Sequence, residues 1–147
     1  MSNQAANNLA NENVTLVLFH NDLRVADNAT LLKASEISID GKLLLVYASS
    51  LTDILDDKDY YDAYRYEAMG QARQQFLHES LADLNTSLMQ RGNRLLYLQK
   101  GDEALDVFTQ LSDLIAQQRV TDICISQTAD YNKNKVYDLM QAKYPEI

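Results

Sequence analysis

Apolar runs of strand length alternate along this chain with longer stretches in which apolar residues recur at helical spacing. Four of these runs are continuous rather than alternating, as is typical of parallel strands covered on both faces: Val14–Phe19, residues 43–47, Leu95–Leu98 and residues 123–125. The pattern therefore predicts an α/β domain with a Rossmann-like, doubly wound parallel sheet of four strands, helices on both faces and right-handed crossovers.

Three stretches carry an apolar residue every three or four positions, the spacing of one helix face: Leu77, Leu81, Leu84 and Leu88; Ala104, Phe108, Leu111 and Ile115; and Val136, Leu139 and Met140. The first stripe ends at Arg91-Gly92, the second follows a candidate cap at Asp102, and the third closes before Pro145. We assign all three stripes to core packing.

A polar loop joins the first strand to a short predicted helix at residues 29–34. It contains Asp22, Arg24, Asp27 and Asn28. We expect Asp27 to cap the helix. Asp22 and Arg24 are interpreted as an internal ion pair or as a clamp that fixes the turn.

The carboxyl ends of the first and fourth strands predict a ligand site, because doubly wound sheets bind ligands where the strand order reverses. His20 follows the first strand, and Gln127, Thr128 and Asp130 follow the fourth. These donors and acceptors suit a polar heterocycle. His20 has a second interpretation, as a hydrogen-bonding residue that stabilises its loop.

Composition narrows the function classes. The length of 147 residues and the hydrophobic fraction of 46% fit one globular domain. No stretch approaches the ~20 apolar residues of a membrane helix. Cys124, the only cysteine, lies in an apolar strand where we expect it to be buried; a chain without an internal disulfide fits a cytoplasmic location.

Charge and residue content argue against several activities. The chain has 21 acidic and 13 basic residues, a net charge of −8, whereas nucleic-acid-binding domains usually display a basic face. We therefore expect no direct DNA binding. The sequence also contains no recognisable nucleophile–base pair, metal-ligand cluster or glycine-rich phosphate loop, so we expect neither a catalytic residue nor a metal site.

Two blocks carry a family resemblance. Residues 19–28, FHNDLRVADN, are similar to the FR-x-DLR-x-x-DN pattern in the first strand–loop–helix of the photolyase/cryptochrome family, with His20 where that family prefers arginine. The second block resembles the later helix, turn and strand of the same domain, and residues 76–84 are most similar to the cryptochrome DASH branch: Arg73, Phe76, Leu77, Ser80, Leu81, Leu84, Leu88, Gly92, Leu95 and Gly101. The resemblance runs from about Val14 to Tyr137.

This resemblance implies a spatial strand order of 3-2-1-4 and an N-terminal antenna domain that holds a folate (methenyltetrahydrofolate) or deazaflavin chromophore against a C-terminal helical domain. Asp130 matches an acidic residue that contacts the pterin ring in the family. Asp130 has an alternative interpretation as the cap of the helix that follows it, and one carboxylate could serve both roles.

The family also implies parts that we do not find in this sequence. Its FAD site lies in a helical domain with electron-transfer tryptophans, and this chain has no tryptophan. We expect a disordered tail at residues 1–13 and an antenna domain at residues 14–147 that lacks the family's fifth strand, with FAD bound only if a helical domain is supplied.

The leading hypothesis is thus a stand-alone or truncated antenna and docking half of a light-dependent DNA repair enzyme or blue-light photoreceptor, inactive by itself. Expected partners are a helical flavin domain, a partner protein or a second copy bound through an exposed sheet edge. The alternatives are an interaction module without a chromophore and a small nucleotide-binding protein.

Overall fold

The computed structural model describes residues 12–49, 51, 70–100 and 106–147. Strands and helices alternate along these residues: β1 (Val14–Phe19), α1 (Ala29–Ile37), β2 (Lys42–Ala48), α2 (Gln71–Met89), β3 (Leu95–Leu98), α3 (Val107–Gln118), β4 (Asp122–Ile125) and α4 (Tyr131–Lys143). All four predicted strands are confirmed, with β2 one residue longer at each end and β4 one residue longer at its start. The first helix runs three residues beyond the predicted 29–34.

The strands form one parallel sheet in the order β3-β2-β1-β4, as the family resemblance implied. β1 lies inside the sheet, and all six of its residues are buried. Leu16 pairs with Leu44 of β2 on one side and with Ile123 of β4 on the other. The chain leaves β1 toward β2 and later returns from β3 to β4, so the strand order reverses between β1 and β4.

Each face of the sheet has its own apolar core, which explains why the central strands are continuous apolar runs. One face packs against α3 and α4, with a core that includes Leu16, Leu18, Val46, Leu111, Ile115 and Val136. The other face packs against α1 and α2, with a core made of Val17, Phe19, Leu45, Ala34, Leu84 and Leu88. The predicted leucine stripe of α2 is confirmed in its buried part, where Leu84 is 1% exposed.

Two predicted helix details need correction. Leu139 was assigned to the core stripe of α4 but is 45% exposed, because the buried positions Val136 and Met140 lie four residues apart and form a narrower stripe. The predicted cap Asp102 lies outside the described residues, as do Ala104 and Gly101. The structure starts α3 at Val107, where the Asp106 carboxylate accepts the Thr109 N–H at 2.9 Å.

The contacts of the sheet extend to Asn13, next to the predicted start of the domain at residue 14. The carbonyl of Asn13 accepts the N–H of Lys42 at 2.8 Å, and so extends the contact between β1 and β2. Gly41 passes close to this carbonyl: a Cβ at position 41 would lie 2.1 Å from the Asn13 oxygen. Residue 41 therefore has to be glycine for this approach. Residues 1–11 of the predicted tail lie outside the described residues.

Candidate functional site

The carboxyl ends of β1 and β4 bring together two loops, which we call the motif loop (residues 20–28) and the β4 loop (residues 126–130). His20 Nε2 lies 3.4 Å from Thr128 Oγ1, and the Ser126 hydroxyl donates to a carboxylate oxygen of Asp22. The predicted meeting of these two loops is confirmed.

Asn28 organises the motif loop from within. Its side chain is 7% exposed; Oδ1 accepts the Leu31 N–H at 2.9 Å, and Nδ2 donates to the carbonyls of Asp22 and Arg24 at 3.1 and 3.0 Å. Asn28, not Asp27, is therefore the cap of α1. Asp27 has a left-handed φ of 51°, whereas Asn28 has the extended backbone that a cap requires, and an amide can donate as well as accept.

Asp22 and Arg24 do not form the predicted ion pair. Arg24 instead reaches Asp27, with its guanidinium 3.8 Å from the Asp27 carboxylate and its Nε donating to the Asp27 carbonyl at 3.1 Å. This pair is exposed to solvent, so it contributes little to stability. Asp22 acts as the alternative clamp: Oδ1 accepts the His20 N–H at 3.1 Å, and Oδ2 accepts the Ser126 hydroxyl.

A chain of hydroxyl groups ties α1 to both loops. Thr30 Oγ1 lies 2.8 Å from Ser126 Oγ. Because the single Ser126 proton is directed to Asp22, the Thr30 hydroxyl is the donor to Ser126. Sequence reasoning missed Thr30 and Ser126, since neither belongs to a motif and only the fold brings them together across 96 residues.

His20 is 8% exposed and is held at both ring nitrogens. Nδ1 lies 2.5 Å from Lys133 Nζ, and Nε2 faces Thr128. Burial, followed by the Lys133 charge, lowers the pKa of His20, although Asp130 and Asp22 act in the opposite direction. A neutral imidazole that accepts from Lys133 and donates to Thr128 satisfies these contacts. These contacts fit the interpretation of His20 as a hydrogen-bonding residue that stabilises its loop.

Asp130 is the N-terminal cap of α4, which was one of its two predicted roles. Its Oδ1 accepts the N–H groups of Asn132 and Lys133 at 3.0 and 3.2 Å, and its own N–H donates to Thr128 Oγ1 at 3.1 Å. Its second carboxylate oxygen, Oδ2, has no hydrogen-bond partner among the described residues. The cap thus leaves one acceptor directed away from the helix backbone.

Two further α4 side chains line this region and were missed by sequence reasoning. Burial lowers the pKa of Lys133, with Asp130 opposing this change and Arg73 of α2 adding to it. Burial and the carboxylates of Asp22 and Asp130 raise the pKa of Tyr137 to about 12, so Tyr137 keeps its phenolic proton at neutral pH. Sequence reasoning could have found Lys133 from its position three residues after the Asp130 cap, within the first turn of α4.

The four predicted site residues therefore divide into two pairs. His20 and Thr128 have their polar side-chain atoms engaged with each other or with neighbouring protein groups. Gln127 is exposed, and its amide makes no hydrogen bond with the described residues. Asp130 and Gln127 thus retain polar atoms without a partner among the described residues, while His20 and Thr128 bond to each other and to neighbouring groups.

Other classes of site have little support in the described part of the chain. It holds no group of three or more His, Cys, Asp or Glu side chains able to bind a metal ion, and none of its helices is long and apolar enough to cross a bilayer. Cys124 is half-buried rather than buried; burial, then the Asp122 charge, raises the pKa of its thiol. The thiol is thus protonated at neutral pH.

Comparison with known proteins identifies the family. The DNA photolyase family model matches residues 15–146, nearly the whole chain. The chain belongs to the DNA photolyase family. Cryptochrome DASH of Idiomarina loihiensis is 31% identical over 137 residues, covering 93% of this chain and 28% of the relative. Cryptochrome DASH of Vibrio parahaemolyticus is 29% identical over 134 residues, covering 91% and 28%.

A solved structure gives the same result for the photolyase fold. A bacterial class III photolyase from Agrobacterium tumefaciens superimposes with a TM-score of 0.67 at 25% identity, covering 92% of this chain and 24% of that one. The chain thus spans about a quarter of the length of these relatives and corresponds to the N-terminal α/β domain of the photolyase family.

Proposed function

We propose that this photolyase-family domain binds a folate chromophore, methenyltetrahydrofolate, against the β4 loop, and serves as the antenna half of a light-dependent repair enzyme or photoreceptor. The observation that carries the proposal is the Asp130 carboxylate, which caps α4 with Oδ1 while Oδ2 has no partner among the described residues. The folate absorbs near-ultraviolet light and passes the excitation to a flavin.

The donor and acceptor groups of the β4 loop fit a pterin ring. A pterin presents neighbouring N–H donors on one edge and a carbonyl oxygen beside them. The Oδ2 atom of Asp130 is an acceptor for such a donor, and charge-assisted hydrogen bonds of this kind are the stronger ones. The Gln127 amide can both donate and accept, so it can pair with the remaining polar atoms of the ring.

The supporting residues orient the ligand-binding groups. The Asp130 N–H donates to the Thr128 hydroxyl, which also faces the His20 ring, so the start of α4 is held against the end of β1. The cap contacts to Asn132 and Lys133 fix the Asp130 rotamer before any ligand arrives. A carboxylate held in this way loses little conformational entropy on binding.

We further propose that the flavin chemistry takes place outside this α/β domain. FAD would be held by a helical domain, supplied by the same polypeptide or by a partner protein, against which the α/β domain docks in the cytoplasm. This chain would then contribute chromophore binding and docking, and neither DNA contact nor flavin photochemistry.

The binding of methenyltetrahydrofolate to the purified chain tests the chromophore proposal. Asp130→Ala is compared with Asp106→Ala, which removes the equivalent cap from α3, the helix that follows β3 at the opposite edge of the sheet. We expect the parent chain and Asp106→Ala to shift the absorbance of the folate equally, and Asp130→Ala to lose at least about tenfold in affinity. A parent chain that does not bind the folate, or equal binding by both variants, would overturn the proposal.

A second candidate function is an interaction module that works through the β4 border. Among the described residues β4 pairs with β1 alone, and each of its residues is partly exposed. Open strand edges favour pairing with another chain. Because the net charge of −8 opposes self-association, added salt should promote it by screening. Sedimentation velocity across a salt series tests for this dimer, and a strict monomer at high salt and high concentration would exclude it.

A further inference from the structure

His20 and Lys133 make a contact that neither the family resemblance nor the proposed chromophore site requires. The Nζ of Lys133 lies 2.5 Å from Nδ1 of His20, across 113 residues of sequence. An ammonium group can only donate, so the histidine nitrogen that faces it has to carry a lone pair. The contact therefore exists only while His20 is neutral with its proton on Nε2.

The Nε2 side of the ring is consistent with that tautomer. Nε2 lies 3.4 Å from Thr128 Oγ1, and this oxygen already accepts the Asp130 N–H at 3.1 Å. The Thr128 oxygen has a second lone pair, with which it can also accept the His20 proton. The histidine thus joins the end of β1 both to the β4 loop and to the first turn of α4.

The charged groups around the ring come from three elements. The carboxylates of Asp22 in the motif loop and Asp130 at the start of α4 favour a positive imidazolium, whereas Lys133 and burial disfavour it. Arg73, at the start of α2, adds positive charge next to Lys133. The phenol of Tyr137 is neutral at physiological pH and does not change this balance.

We propose that His20 and Lys133 form a pH-sensitive latch, which holds the first turn of α4 against the end of β1 while the imidazole is neutral and releases it when the imidazole takes up a proton. Protonation removes the acceptor at Nδ1 and places two cations in contact. The Lys133 side chain then has to move away, since its three donors are no longer matched by a lone pair on the ring. The latch goes beyond chromophore binding and does not depend on it.

Nuclear magnetic resonance of the full chain tests the latch directly, because the sequence has two histidines, His20 and the exposed His78. Nitrogen-15 spectra of the imidazole rings report which ring nitrogen carries the proton. We expect neutral His20 to be the Nε2–H tautomer, and the backbone amide shifts of residues 131–134 to follow the His20 titration as the pH falls from 6.5 through the lowered pKa of His20. The first turn of α3, beginning at Val107, serves as an internal reference and should not follow it.

Lys133→Met removes the ammonium but keeps the aliphatic stem, and should move the His20 titration to higher pH because protonation no longer places two cations together. Lys135→Met is the matched control: it removes the same charge from the same helix at a side chain that lies over the Tyr131 ring, 4.8 Å from its centroid. An Nδ1–H tautomer in the parent chain would overturn the latch, and so would equal shifts in the two variants. A larger upward shift in Lys133→Met supports it.

Discussion

The motif loop and the β4 loop lie side by side at the same end of the sheet, but they use their polar groups in opposite ways. The motif loop uses its polar side chains for hydrogen bonds within the protein. The side-chain amide of Asn28 bonds to Leu31, Asp22 and Arg24, all close to it in the chain. In the β4 loop, a single carboxylate oxygen of Asp130 accepts the first N–H groups of α4, and the side chain of Gln127 is exposed.

The difference separates a recognisable family motif from a loop whose polar groups are partly unpaired among the described residues. The motif loop carries the pattern that identifies the family, and its side chains are used for its own geometry. The β4 loop has no pattern of comparable length, and it carries the groups to which we assign the proposed chromophore contacts. The sequence motif in this domain therefore marks residues that fix the backbone, while the proposed ligand contacts lie on the neighbouring loop.

The largest effect should come from the centre of the motif loop. Asn28→Ala removes the cap of α1 and leaves two carbonyls without their donor, so we expect it to lower the free energy of unfolding by about 3 kcal/mol. Asn134→Ala, which removes a single exposed bond from its amide to the Thr128 carbonyl, should cost less than about 1 kcal/mol. Urea denaturation of both variants measures this contrast, and equal costs would show that the motif loop is not held by its own amide.

The connection between the loops should have an intermediate effect. Ser126→Ala leaves the partly buried Asp22 carboxylate without its hydroxyl donor and removes the Thr30 contact, and should cost about 2 kcal/mol. Ser35→Ala is the control, because its hydroxyl is exposed and bonds only to the Leu31 carbonyl within α1; it should change stability by less than about 0.5 kcal/mol. If thermal unfolding does not distinguish the two variants, the loops are energetically independent.

The pH dependence of stability should report on His20. Its pKa in the folded domain lies below the ordinary value of 6.5, so the unfolded chain binds more protons as the pH falls through this range. Stability should be fully retained above pH 6.5 and should decrease as the pH falls from there through the lowered pKa. His20→Gln should flatten this part of the profile in urea titrations, whereas His78→Gln, at an exposed position of α2, should leave it unchanged. An identical slope in His20→Gln would contradict the assignment.

The smallest effect on stability should come from the ligand-facing side of the β4 loop. Gln127→Ala should change the free energy of unfolding by less than about 0.5 kcal/mol, since its amide bonds to no described residue. It should nevertheless weaken methenyltetrahydrofolate binding, which a fluorescence titration measures. Unchanged affinity would move the ligand away from this side chain and narrow the site to Asp130.

Much of the fold follows from patterns that are local in the sequence. Continuous apolar runs such as Val14–Phe19 indicate parallel strands, because helices bury both faces of a parallel sheet. The leucines of α2 recur at the period of one helix face. The strand order came from the family resemblance. The two loops of the site could be named in advance because parallel strands place their carboxyl ends at one edge of the sheet.

The tertiary structure determined which polar atoms of those two loops remain without a protein partner. Asp27 and Asn28 are both residue types that favour the cap position, but Asn28 is the one with the extended backbone that a cap requires. Arg24 had carboxylates on either side, and it pairs with Asp27 because Asp22 is engaged by Ser126 from the far end of the chain. Lys133 reaches His20 across 113 residues. A one-dimensional pattern records propensity and burial, but a hydrogen bond depends on distance and direction, which exist only once the sheet has brought β1 and β4 together.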